Sequence, residues 1–190
     1  MMQSTLARHV FLIGYRCTGK TSVGRTLAGL LGCPFADSDV EIVRRAGRSI
    51  QDMVREEGWT AFRHLEREVI ENLCRQPAQI IATGGGVVLD PRSVSVMQRV
   101  GTLIWLNARP ETIRRRMAAD GKTPANRPPL SGTDAAAETE AVLQARRPLY
   151  RTAADHVVDT DGREIAEIAA VIKTMLGPGT GSENECKRCR

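Results

Sequence analysis

Gly14-Tyr-Arg-Cys-Thr-Gly-Lys20-Thr21 matches the pattern G-x-x-x-x-G-K-[ST] at every fixed position. A phosphate needs several donors converging on one concavity. Backbone N–H groups at a helix N-terminus supply them, and the helix dipole adds partial positive charge. In such a loop Gly19 lets the backbone come close, Lys20 reaches the β- and γ-phosphates, and the Thr21 hydroxyl faces Mg²⁺. The apolar run Val10–Ile13 precedes the motif, and Val23, Leu27, Leu30 and Leu31 follow it at helical spacing. Strand, loop and helix thus stand in the order this chemistry requires. The motif implies nucleotide phosphate binding. Alone it does not separate a kinase from a GTPase, an ATPase or a nucleotide-gated binding module.

Asp37-Ser-Asp39 closes a second apolar run, so both carboxylates are expected at a strand's carboxyl end, the rim where ligands bind in open α/β sheets. Alternation would point them in similar directions, one suited to a metal shell and one to a hydroxyl. A plain helix cap is the alternative, because Asp39 precedes a helical segment. The central run Ile80–Ala82 ends not in an aspartate but in Thr83-Gly84-Gly85-Gly86. Three successive glycines cost chain entropy. They suit a turn whose backbone N–H groups meet a ligand without side chains between; a flexible connection is the alternative.

Further short runs, Pro34–Ala36, Thr102–Leu106 and His156–Val158, alternate with helical patterns. That alternation predicts an α/β domain with a parallel sheet. Phe62, Leu65, Val69, Ile70 and Leu73 predict a helix from about Thr60 to Arg75, and another is expected over about Arg163–Leu176. Asp90-Pro91, and less strongly Arg109-Pro110, mark helix starts. The proline- and glycine-rich stretch Asp120–Ala137 is too long for an ordinary connection and predicts a lid, over about residues 118–137. Residues 1–176 are expected to form one domain and 177–190 a flexible tail.

At 190 residues and 42% apolar content, the chain can bury a single core. No apolar run approaches the ~20 residues of a membrane span, and no signal peptide is evident, so a cytoplasmic location is expected. The net charge of +5 comes from dispersed arginines without interleaved aromatics. This favours small anions and argues against nucleic acid. Five scattered cysteines argue against a disulfide framework. Cys186 and Cys189 lack the further ligands a zinc site needs.

Taken in order, the phosphate loop, Asp37-Ser-Asp39, Phe62-Arg63-His-Leu-Glu66, Thr83–Gly86, Asn126-Arg127-Pro128 and Arg146-Arg-Pro-Leu-Tyr150 resemble the shikimate kinase family. The resemblance runs from about residue 9 to 176. It implies a three-layer P-loop fold of the nucleoside-monophosphate-kinase type, with a five-stranded parallel sheet in the order 2-3-1-4-5, and a monomer. It implies ATP and Mg²⁺-dependent phosphoryl transfer to shikimate. Lys20, Asp39 and Arg127 would be catalytic, Arg127 as a lid arginine. Asp39, Arg63, Gly84, Gly85, Gly86 and Arg146 would bind shikimate, with Glu66 holding Arg63 in place. Gly14, Cys17, Thr18, Gly19, Lys20, Thr21 and Ser22 would cradle ATP, joined by Arg127 over the transferring phosphoryl group and by Arg116 and Arg163 at the adenine, the last in a loop at Thr160–Arg163. Thr21 and Asp37 would complete the metal shell. Physical chemistry agrees, since a carboxylate asks for paired guanidinium groups and a carboxylate near the attacked phosphate can take up the hydroxyl's proton.

Two departures accompany the resemblance. Cys17 stands where the family usually places another glycine, and extra residues, Gly121–Asn126, precede the lid motif Arg127-Pro-Pro-Leu130. A kinase of another small acceptor, such as gluconate or a nucleoside monophosphate, and a binding module without turnover are the alternatives.

Overall fold

The first strand, β1 (His9–Ile13), is buried at every position, as a strand covered on both faces must be. Its side chains alternate between two cores. Val10 and Leu12 join Ile80, Ile104 and Leu106 on one face, while Phe11 and Ile13 join Ile81, Leu103 and Trp105 on the other. The structure, a computed structural model, describes residues 6–119 and 135–177.

Within them, β1 is followed by α1 (Lys20–Leu31), β2 (Phe35–Asp37), α2 (Ser38–Ala46), α3 (Ile50–Leu73) and β3 (Ile80–Ala82). A 3-10 turn (Val87–Leu89), α4 (Pro91–Val100), β4 (Gly101–Asn107) and α5 (Pro110–Ala119) come next, then α6 (Ala135–Ala153), β5 (His156–Asp159) and α7 (Ile165–Leu176). The strands form one sheet in the order β2-β3-β1-β4-β5, parallel at every pairing. This is the order expected above. Helices α1 and α7 cover one face through Val23, Leu27, Ile168 and Ile172. Helices α3, α4 and α6 cover the other through Ile70, Met97 and Tyr150. At roughly 1.5–3 kcal/mol for each large apolar side chain fully buried, these two cores hold β1 rigidly beneath the phosphate loop. Among the described residues, no helix is long and apolar enough to cross a membrane.

Asp90 caps α4 as predicted, its carboxylate accepting from the Arg92 and Ser93 amides, with Pro91 in the first turn. Three expectations change. The helix expected from Thr60 begins at Ile50, where the Ser49 hydroxyl accepts from the Asp52 amide at 3.0 Å. Gly58 interrupts it with φ 81° and ψ 172°, and that kink breaks the apolar periodicity. Second, β2 ends at Asp37 and α2 begins at Ser38. Asp39 therefore belongs to the first turn of a helix, and strand alternation does not orient the two aspartates. Third, α6 carries Arg146 and Tyr150 on a helix that apolar spacing did not reveal. The ends of the expected lid, 118–119 and 135–137, belong to α5 and α6. Its interior, with Arg127 and Gly121–Asn126, lies outside the described residues, as do Cys186 and Cys189.

Candidate active site

The phosphate loop leaves the end of β1 and enters α1. Gly14 turns there with φ 140°, and a Cβ at that position would run into the Leu106 carbonyl. Gly19 caps α1 in the left-handed region at φ 96°, open to glycine without steric cost. Cys17 lies in the same region, at φ 58°. A side chain there costs about 1–2 kcal/mol, so this loop carries at Cys17 a strain that a glycine would not. The loop is tied to itself by its own side chains. Thr18 Oγ1 donates to the Tyr15 carbonyl at 2.8 Å, and Lys20 Nζ donates to the Gly14 and Tyr15 carbonyls at 2.8 and 2.7 Å.

Thr21 Oγ1 donates to Asp37 Oδ2 at 2.7 Å. The other oxygen of Asp37 accepts from the Asp39 amide at 3.0 Å and so caps α2. The capping alternative thus holds for Asp37, alongside its contact with Thr21, and not for Asp39. Cys17, Gly19, Lys20, Thr21 and Ser22 line one cavity with Asp37, Asp39 and Thr83. Hydroxyl and carboxylate oxygens are the donors that Mg²⁺ prefers, and that ion takes its remaining ligands from water and substrate phosphates. The pair Thr21–Asp37 fits such a shell. Among the described residues no group of three or more His, Cys, Asp or Glu side chains is placed to hold a metal ion.

A second cavity adjoins the first. Asp39, Arg63, Glu66, Gly84–Gly86 and Arg146 line it, with Arg16 and the rings of Tyr15, Trp59 and Phe62. Arg63 Nη1 donates to Glu66 Oε2, one helical turn away as expected. Its guanidinium lies 5.5 Å from the Trp59 ring centre and 5.0 Å from that of Phe62. Glu66 is 2% exposed. Burial pushes its carboxyl above the usual range, against the pull of Arg63 and with the help of neighbouring Asp39.

The glycines after β3 acquire a specific reason. A Cβ on Gly84 would stand 2.6 Å from Glu66 Oε1 and 2.8 Å from Asp39 Oδ1, and one on Gly86 would strike the Arg63 guanidinium. At Gly84 and Gly86 the turn lacks side chains because the side chains of the site occupy that space. It is fixed from outside by Ser38 Oγ, which accepts from the Gly84 amide at 2.9 Å. On its other side, the Gly85 carbonyl accepts from Arg146 Nη1 at 3.1 Å and Tyr150 Oη at 2.5 Å.

Of the arginines Arg114–Arg116, Arg116 alone reaches the loop among the described contacts. It donates to the Cys17 carbonyl at 3.3 Å, to Thr160 Oγ1 at 3.0 Å and to the Thr160 carbonyl at 2.7 Å. Arg114 pairs instead with Glu111. Arg163 is exposed in the turn between β5 and α7. Of the expected site residues that are described, Cys17, Gly19, Lys20, Thr21, Ser22, Asp37, Asp39, Arg63, Gly84–Gly86 and Arg146 line the two adjoining cavities. Gly14, Thr18 and Arg116 are bonded into the phosphate loop, and Arg163 lines neither cavity. Sequence reasoning gave no role to Tyr15, Arg16, Ser38, Trp59 or Tyr150. Ser38 lies between two named aspartates and Tyr150 ends a quoted motif, so their positions were flagged. Tyr15 and Arg16 fall within the phosphate-loop motif, whereas nothing local announced Trp59.

A glycine-rich loop feeding a buried helix, beside an arginine-lined pocket at the carboxyl ends of a 2-3-1-4-5 parallel sheet, defines a P-loop phosphotransferase fold of the nucleoside-monophosphate-kinase type. The family model "Shikimate kinase" matches residues 16–176. A shikimate kinase of Syntrophus aciditrophicus is 44% identical over 169 residues, 85% of this chain and 87% of that protein. One from Symbiobacterium thermophilum is 40% identical, over 88% of this chain and 95% of its own. The solved shikimate kinase from Acinetobacter baumannii in complex with shikimate superposes with a TM-score of 0.83 at 32% identity, covering 89% of this chain and 92% of that one. The chain belongs to the shikimate kinase family.

Proposed function

We propose that this chain transfers the γ-phosphoryl group of ATP to the 3-hydroxyl of shikimate, with Mg²⁺, as a cytoplasmic monomer in the supply of aromatic amino acids. The observation that carries the reading is that Asp39 lines both the phosphate-loop cavity and the arginine-lined cavity. A carboxylate at that junction reaches both the acceptor hydroxyl and the phosphoryl group it attacks. The names borne by its relatives support the same substrate.

In this reading Arg63 and Arg146 grip the substrate carboxylate, a pairing in which guanidinium geometry matches the ligand. Glu66 holds Arg63 in its rotamer. Gly84, Gly85 and Gly86 let the ring approach the backbone, and Asp39 binds its hydroxyls and takes up the proton released on attack. Gly14, Cys17, Thr18, Gly19 and Ser22 wrap the phosphates of ATP, while Lys20 steadies the charge on the transferring group. Thr21 and Asp37 hold Mg²⁺, whose chemistry is to neutralise charge on the phosphate oxygens. Arg116 and Arg163 flank the adenine, and Arg127 acts on the phosphoryl group as the lid arginine.

A coupled ADP-release assay with a panel of hydroxylated acceptors tests the reading. Turnover on shikimate is expected. Turnover on another acceptor with none on shikimate would overturn the substrate, and tight ATP binding without transfer to any acceptor would favour a binding module.

A further inference from the structure

We propose that Tyr150 is a positioning residue for the acceptor: its hydroxyl fixes the Gly85 carbonyl and, through that carbonyl, sets where Arg146 stands. The inference rests on the shikimate reading above. Tyr150 is not among the residues lining the acceptor cavity, whereas Gly85 and Arg146 are. It therefore acts through them. Its ring is fully buried and stacks on Trp105, centroids 5.6 Å apart and planes 19° apart. Burial pushes the phenol well above its ordinary pKa, so the hydroxyl is a permanent donor.

That donor points at one atom. The Gly85 carbonyl accepts from Tyr150 Oη at 2.5 Å and from Arg146 Nη1 at 3.1 Å, filling both lone pairs. Arg146 and Tyr150 are four residues apart on α6, so one helix face presents both donors to the turn. The Arg146 guanidinium is then confined between that carbonyl and the Tyr15 ring, 5.9 Å from its centre. A guanidinium has five donors. With one spent on a fixed carbonyl, a pair remains for a ligand carboxylate. Without the tyrosine hydroxyl, the carbonyl and its arginine move together, and a bound carboxylate must order them.

Tyr150→Phe removes the hydroxyl and keeps the ring and its stack. Wild-type turnover on shikimate is measured first, so that failure of the substrate assignment shows there and not in the comparison. The variant is expected to lower kcat/KM for shikimate about fivefold, the size of one buried hydrogen bond. The change falls in KM for shikimate rather than KM for ATP. In an Arg146→Ala background, with kcat/KM read at subsaturating shikimate, the tyrosine effect should largely vanish, because the two residues act as one unit. A lower melting temperature with unmoved shikimate KM would overturn the inference, as would equal effects on both substrates or a full effect without Arg146. A second readout needs no substitution at position 150. With 3-fluorotyrosine at the two tyrosines of the chain, assigned with Tyr15→Phe, the Tyr150 fluorine resonance should shift when wild type is saturated with shikimate and not when Arg146→Ala is saturated with it. The same shift in both would contradict the coupling.

Discussion

On the nucleotide side, Gly14 to Thr21 forms its concavity from consecutive residues, fastened by Thr18 and Lys20 to carbonyls of the same loop. On the acceptor side, Asp39 comes from α2, Arg63 and Glu66 from α3, Gly84–Gly86 from the turn after β3, and Arg146 from α6. The first half is governed by backbone dihedrals. The second is governed by side chains from three helices that must clear one another and the turn beneath them, which is why glycine stands where a Cβ would meet Glu66, Asp39 or Arg63. In the proposed reading, phosphate recognition therefore rests mainly on one stretch of backbone, with Asp37 and Arg116 as its outside supports, while acceptor recognition draws on three helices at once.

Lys20→Ala should give the largest effect. Removing a preorganised cation from the transferring phosphate should lower kcat on the order of 10³-fold, with shikimate affinity retained in direct binding titrations. An equal loss of shikimate affinity would break the separation of the halves.

A smaller effect is expected at Cys17, where the backbone pattern of the nucleotide half is strained by φ 58°. Cys17→Gly relieves a left-handed side chain and gives back some chain entropy, for a net gain of about 1 kcal/mol. A chain of this size should then melt roughly 2–4 °C higher, with kcat keeping its order of magnitude. A lower midpoint would show that the thiol's contacts outweigh the strain.

The smallest effect lies at the far end of β1, remote from both halves. Burial holds the His9 imidazole below its ordinary 6.5. The unfolded chain takes up a proton as pH falls through about 6.5, and the folded chain resists it. Stability contributed by neutral His9 is present above that pH and is lost below it. Melting curves at about pH 7.5 and 5.5 should differ less for His9→Phe than for wild type, with both substrate affinities kept. An unchanged difference would remove His9 from the acid sensitivity.

The same contrast explains what could be read from the sequence. The phosphate loop was legible because its chemistry is consecutive, and the strands because β1, β3 and β4 are buried on both faces and read as plain apolar runs. The first half of α3 was not, because Gly58 breaks its period, nor was α6, whose alanine- and arginine-rich surface conceals its core-facing residues. On the acceptor side only resemblance joined Arg63 to Arg146. No local spacing brings together residues whose meeting depends on the order of the strands. Even the triple glycine was only half understood, for its reason lies in the Glu66, Asp39 and Arg63 side chains packed against it.

The most direct test of two separately built halves is calorimetric titration of Arg63→Ala with each substrate. Loss of a charge-assisted contact should weaken shikimate binding roughly 100-fold and leave ATP binding close to wild type. Weakened ATP binding with shikimate affinity intact would contradict the account.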